Sequence, residues 1–173
     1  DNQPDPDESG AFWDYSDVMA ADWLAAPYEP QKVYYDATPG ESIPVEPPFY
    51  MEHPDPPRPR PPYYADLGEA RSAVAEAIGD GRLLVNYIGH GAIPYWVHEL
   101  LSVGHIPSLS QTHTLPMMLP FTCQEGYFTQ PQPTLNSLGE SLVRAPAKGA
   151  VASWSPTGWG TCAGHHYLNE GFF

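Results

Sequence analysis

Basic residues are scarce in this chain, and their scarcity excludes two classes of partner. Among 173 residues, seven Lys and Arg stand against 21 Asp and Glu, which gives a formal net charge of −14. Such a charge repels nucleic-acid phosphates and anionic lipid headgroups. We therefore expect neither a nucleic acid nor a membrane surface among the partners of this protein.

Long apolar runs and cysteines are also few. Gly, Pro or a charged residue interrupts every hydrophobic run before the roughly 20 residues that a membrane-spanning helix needs. Cys123 and Cys162 cannot build a Cys-rich zinc site or a scaffold with several disulfides, so each is a free thiol, a nucleophile or half of one bridge. No initiator Met or signal peptide is present, and we expect a processed or partial chain.

Charge and proline divide the chain unevenly. Residues 1–66 contain 14 acidic and three basic residues, a net charge of −11, whereas residues 67–173 contain seven and four, a net charge of −3. Ten of the 22 prolines lie within residues 36–64 and favour an extended surface loop there. We expect this loop to separate residues 10–35, a helix plus a strand, from a core at residues 65–173.

The remaining pattern alternates between helices and strands. Helical spacing predicts helices at residues 12–24, 67–78, 138–145 and 163–173, and D-x-x-E and S-x-x-E capping patterns precede the second and third. A short β-branched and aromatic run predicts a strand at residues 31–36. Apolar runs predict strands buried on both faces at residues 82–89, 115–123 and 149–156. This order is typical of an α/β fold with a largely parallel central sheet flanked by helices. In such sheets, ligands bind beyond the carboxyl ends of the strands.

Two of the predicted buried strands lead directly into a reactive residue. The run LLVNYIG is followed by His90 and Gly91, and the run MMLPFT is followed by Cys123. If the two strands are neighbours, His90 and Cys123 meet at one rim of the sheet. A histidine beside a cysteine favours the thiolate and can later protonate a leaving amine. The alternative is that Cys123 is an inert buried side chain.

The second half of the chain resembles the gingipain-type cysteine peptidases, family C25 of the caspase-like clan. The resemblance is carried by the motifs VNYIGHG (85–91), PFTCQEGYF (120–128), SLGESLV (137–143), KGAVASWSPTG (148–158) and GHHYLNEGFF (164–173), and the similarity extends over residues 10–173. It implies that residues 1–173 are part of one caspase-like peptidase domain. It also implies a cysteine endopeptidase that works through an acyl-enzyme, in an extracellular or cell-surface bacterial setting.

The resemblance also assigns roles to individual residues. It makes Cys123 the nucleophile and His90 the general acid/base, with backbone N–H groups of Gly91 and Cys123 as oxyanion donors. Trp159 would wall the substrate pocket, although an ordinary loop aromatic is an equal interpretation. Because a disulfide would consume the nucleophile, we expect Cys123 and Cys162 both to be free thiols.

Other candidates are weaker. No cofactor is expected, but the pattern D-x-D-x-S-G at residues 5–10 resembles the start of a calcium loop, with Ser16 where that loop needs Glu. His165 and His166 are adjacent, so they diverge on a helix and favour surface or packing roles over a shared metal. A structural or assembly and maturation module is the alternative function. In either case, we expect further segments of the same precursor, or repeated copies, to cover the sheet edge along the proline-rich loop.

Overall fold

The computed structural model describes residues 11–36, 63–110, 113–129 and 135–173. The predicted calcium loop at residues 5–10 lies outside the described residues. So does the proline-rich loop, apart from its ends.

The described residues contain five strands, four α-helices and two short 3-10 helices, at Val97–Glu99 and Val103–Ser108. The strands are β1 (Leu84–Ile88), β2 (Gly91–Ala92), β3 (Tyr95–Trp96), β4 (Met117–Phe121) and β5 (Ala152–Ser153). The helices are α1 (Ala11–Val18), which continues as a π-helical turn over Met19–Trp23, α2 (Leu67–Gly79), α3 (Leu138–Arg144) and α4 (Cys162–Phe172). A parallel sheet in the order β1-β4-β5 forms the centre, and β2 pairs with β3 in a separate antiparallel hairpin.

The sheet is built on β4, as the apolar runs predict. β1 lies parallel to β4, from Leu84 opposite Met117 to Ile88 opposite Phe121. The expectation that β1 is buried on both faces is wrong, because only Ile88 among its five residues is fully buried. The other four residues are half-buried, since no described strand covers the outer edge of β1.

Two predicted strands differ from the structure. The predicted strand at residues 149–156 is reduced to Ala152–Ser153, because the chain beyond it bonds to the loop after β4: Gly126 N donates to Pro156 O at 2.9 Å. The predicted strand at residues 31–36 is wrong. Among the described residues, one isolated bridge forms there, between Tyr35 and Tyr64, whereas a strand needs a continuous neighbour for its backbone groups.

The helices follow the prediction closely. The side chain of Asp66 accepts a hydrogen bond from Glu69 N at 2.9 Å and begins α2, and the hydroxyl of Ser137 accepts from Glu140 N at 3.2 Å and begins α3. α1 and α4 also form where the spacing predicts them.

The helices cover the two faces of the sheet. One core cluster joins α2 and α3 to one face, with Ile78, Met118 and Leu142 at its centre. The other joins α1 to the opposite face, where Phe12 packs against Ile88. The chain therefore forms a three-layer α/β structure whose strand ends share one rim.

Candidate active site

His90 and Cys123 occupy matched positions beyond the ends of two adjacent strands. Ile88 of β1 lies opposite Phe121 of β4, and Gly89 N donates a hydrogen bond to Phe121 O at 3.4 Å. Each reactive residue follows its strand by two positions, and both side chains are half-buried. The expectation that these two strands are parallel neighbours is therefore confirmed.

The thiol of Cys123 is free and rests on a second loop. Its Sγ lies 3.5 Å from Gly160 N and 3.6 Å from Gly160 O. Gly160 follows β5, so the carboxyl end of a third strand also contributes to this rim. The side chain of Cys162 lies outside the described part of the chain, and its free state stays a prediction.

The ring and the backbone of His90 are both held in place. Phe12 of α1 contacts the imidazole edge-to-face, with ring centroids 5.0 Å apart. The carbonyl of His90 accepts hydrogen bonds from Tyr87 Oη at 2.7 Å and from Val97 N at 3.0 Å. The sequence offered no signal for these contacts, because Phe12 and His90 are far apart along the chain.

Gly91 has a packing role at this rim. A Cβ at this position would lie 2.3 Å from Oγ1 of Thr122, the fully buried residue before Cys123. Only glycine lets the loop after β1 approach the end of β4 so closely. The role of Gly91 as an oxyanion donor stays a prediction.

The loop after β5 places an exposed aromatic side chain next to Cys123. Trp159 is 83% exposed and directly precedes Gly160, where an added Cβ would lie 1.9 Å from Nε2 of His165. His165 is buried in α4, and burial lowers the pKa of its imidazole. Of the surface and packing roles expected for His165, the packing role is therefore confirmed and the surface role is wrong.

Glu125 is a buried acidic residue that sequence reasoning missed. Its Oε2 accepts a hydrogen bond from Nε1 of Trp96 at 2.6 Å. Burial raises the pKa of this carboxyl to about 8, although the bond from Trp96 acts in the opposite direction. The only available signal was the position of an acidic residue in the tight turn CQEG after a buried strand.

The described residues contain neither a metal-ligand cluster nor a membrane-spanning helix. No three His, Cys, Asp or Glu side chains within residues 11–36, 63–110, 113–129 and 135–173 are grouped as metal ligands would be. None of the helices described is both long and apolar enough to span a bilayer.

Comparison with known proteins identifies relatives of this chain. The model of peptidase family C25 matches residues 2–173. Gingipain R2 and gingipain R1 of Porphyromonas gingivalis are each 30% identical over 93 residues, which are 54% of this chain. These matches span only 12% and 9% of the two relatives, so the chain corresponds to a small part of their length.

Solved structures agree with this assignment. A crystal structure of the Arg specific cysteine proteinase gingipain R is 27% identical with a TM-score of 0.50, over 58% of this chain and 24% of that one. Another protease structure has a TM-score of 0.52 at 20% identity, over 62% of this chain and 23% of that one, and supports the fold alone. The chain therefore belongs to peptidase family C25, the gingipain-type cysteine peptidases, and has part of their caspase-like α/β fold.

Proposed function

We propose that this protein is a cysteine endopeptidase in which Cys123 and His90 form the catalytic dyad. The observation that supports it best is the matched placement of a free thiol and an imidazole beyond two paired parallel strands. The thiolate of Cys123 attacks the scissile carbonyl carbon and forms a C–S bond. His90 then protonates the amine as the C–N bond breaks, and later takes a proton from the water that hydrolyses the thioester.

Backbone groups and one aromatic side chain complete the proposed site. The N–H groups of Gly91 and Cys123 stabilise the oxyanion of the tetrahedral intermediate. Trp159 forms one wall of the substrate pocket. Gingipain R is described as Arg specific, and we extend a preference for a basic residue to this chain. An exposed indole face attracts a guanidinium, and a net charge of −14 attracts cationic peptides.

The setting and the partners are part of the proposal. We propose an extracellular or cell-surface location in a bacterium. The substrate is a protein or peptide, and a further segment of the same precursor covers the outer edge of β1. No cofactor enters the chemistry, and calcium at residues 5–10 would serve only the structure.

Covalent labelling tests the dyad directly. An arginyl chloromethyl ketone probe should alkylate Cys123, identified by mass spectrometry, and Cys123→Ala should abolish labelling. His90→Ala should slow it by roughly 100-fold, because the thiolate loses its partner. The matched controls are Cys162→Ser, which should label normally, and a norleucyl probe, which should react more slowly.

Two outcomes would contradict the proposal. Equal labelling rates in wild type and His90→Ala would mean an ordinary exposed thiol without a dyad. Absence of labelling in the folded wild-type protein would favour the structural or assembly module instead.

A further inference from the structure

Glu125 links the two loops of the proposed dyad. It lies two residues after Cys123, and its side chain is 0% exposed. Trp96 Nε1 donates to Oε2, while Oε1 is buried without a hydrogen-bond partner among the described residues. A buried carboxyl with an unsatisfied oxygen is costly, because that oxygen loses its hydration and gains no hydrogen bond in return. Its presence at this position therefore calls for a role.

Trp96 carries this link to the histidine. It pairs with Gly91 in the β2–β3 hairpin directly after His90, and its ring stacks on Tyr87 with centroids 4.2 Å apart. Tyr87 in turn donates its hydroxyl to the carbonyl of His90 at 2.7 Å. A continuous chain of contacts thus runs from Glu125 through Trp96 and Tyr87 to His90.

The backbone of Glu125 is fixed on the cysteine side. Its carbonyl accepts from Gly139 N at 3.1 Å, and Gln124 adopts a positive φ of 56° that turns the chain after Cys123. Gln124 N also donates to Gly158 O at 2.9 Å. The side chain of Glu125 is therefore presented to Trp96 from a rigid turn that begins at Cys123.

We propose that Glu125 is a positioning residue, whose hydrogen bond with Trp96 holds the His90 hairpin in register with Cys123. This inference rests on the proposed function. Without the hydrogen bond between Glu125 and Trp96, the hairpin would be free to shift. The imidazole of His90 would then be misplaced relative to the sulfur of Cys123. Small misplacements of catalytic groups lower turnover strongly.

The positioning form of Glu125 is the neutral acid. The pKa of its carboxyl, raised to about 8 by burial, keeps it protonated at neutral pH. Among the described residues, Tyr87 on β1 is the titratable group that interacts with it. Burial raises the pKa of that phenol as well, so Tyr87 stays a hydrogen-bond donor to His90. Two further groups that contact Glu125 do not titrate. They are the indole of Trp96 in the hairpin and the backbone N–H of Gly139 in α3. Above about pH 8 the carboxyl ionises, and its hydrogen bond from Trp96 becomes stronger. The larger desolvation cost of a buried charge nevertheless drives the side chain towards water, and this movement loosens the link.

Turnover against pH in four variants tests the role. Glu125→Gln keeps an oxygen for Trp96, so its kcat/KM at pH 7 should stay within about twofold of wild type. In wild type, ionisation of Glu125 should lower kcat/KM above about pH 8, and this part of the alkaline decline should disappear in Glu125→Gln. Glu125→Leu should lower kcat at least tenfold with little change in KM. Trp96→Phe keeps an aromatic ring over Tyr87 but lacks the N–H, so kcat should fall similarly. The part of the alkaline decline that comes from Glu125 should disappear, because the link that ionisation would loosen is already absent. Glu76→Gln, an exposed carboxyl on α2, is the control and should change nothing.

Unfolding against pH tests the neutral acid independently of activity. From about pH 4.5 to about pH 8, the folded state keeps a proton that the unfolded chain has released. Stability must therefore fall as pH rises through this window and level off above it. Glu125→Gln should show a smaller loss than wild type in urea titrations at pH 5 and pH 8. Equal losses would mean that Glu125 is already ionised and would overturn the inference.

The outcomes separate this inference from the proposed function. Wild type that hydrolyses arginyl substrates while folded Glu125→Leu and Trp96→Phe turn over normally would overturn the positioning role alone. An alkaline decline unchanged in Glu125→Gln would also overturn it. Wild type that neither hydrolyses nor labels would overturn both proposals. If Glu125→Leu fails to fold, Glu125→Gln and Trp96→Phe still decide the question.

Discussion

The contact between Gly160 and His165 makes a prediction for a single residue. A Cβ on Gly160 would lie 1.9 Å from Nε2 of the buried His165 ring, so Gly160→Ala must displace either that ring or the loop that touches Cys123. We expect the free energy of unfolding to fall by about 1–3 kcal/mol, as for overpacking. The rate of Cys123 labelling should also change several-fold.

Gly158 provides the matched control for this substitution. It lies in the same loop, and a Cβ there meets nothing within 4 Å. The free energy of unfolding of Gly158→Ala should therefore stay within about 0.5 kcal/mol of the wild-type value, as for neutral surface substitutions. Chemical denaturation of both variants checks the pair. Equal effects would mean that loop flexibility, and not the His165 contact, is responsible.

Individual site residues differ in how far the sequence predicts them. His90 and Cys123 each end an apolar run, and the strand-end rule places them on one rim once the strands are paired. Phe12 and Glu125 were not predicted, because their contacts join segments that are distant along the chain. Local patterns carry no information about such tertiary pairs.

At the scale of single elements, helix caps carry the next prediction. The carboxylate of Asp66 accepts from Glu69 N and begins α2, so Asp66→Ala should lower the free energy of unfolding by about 1 kcal/mol. Asp66→Asn keeps the acceptor and should cost less. Urea titration at neutral pH measures both variants. Equal losses for Ala and Asn would mean that the charge at the start of α2 matters and the hydrogen bond does not.

Helices were better predicted than strands for a physical reason. A helix satisfies its backbone within one segment, so spacing and caps define α2 and α3 almost completely. A strand needs a neighbour, and the sequence of a strand does not state whether that neighbour is present. Within the described part of the chain, the β-branched and aromatic run at residues 31–36 therefore forms one bridge, and β5 ends where the following backbone bonds to another loop.

At the scale of the whole molecule, the outer edge of β1 is open in the described structure. In a parallel pair, alternate residues point their backbone groups to each side. Because Gly89 N bonds to β4, the amides of Leu84, Asn86 and Ile88 point away from it. Beside this edge lies a groove of about 520 Å³, with many aromatic residues in its lining, among them Phe12, Trp13, Trp23, Tyr28, Tyr35 and Phe172. An exposed apolar edge of this kind promotes pairing with another strand.

Amide hydrogen exchange tests whether another strand covers this edge. The amides of Leu84, Asn86 and Ile88 should exchange rapidly in the 173-residue chain alone and slowly in the longer precursor proposed above, because an added strand provides their acceptors. Leu119, in the central strand β4, is the internal control and should be protected in both samples. Protection that appears in the chain alone only as its concentration rises would identify a second copy as the partner. Protection that is concentration-independent and equal in both samples would mean that this chain closes its own edge, and the expectation of a covering partner would then be wrong.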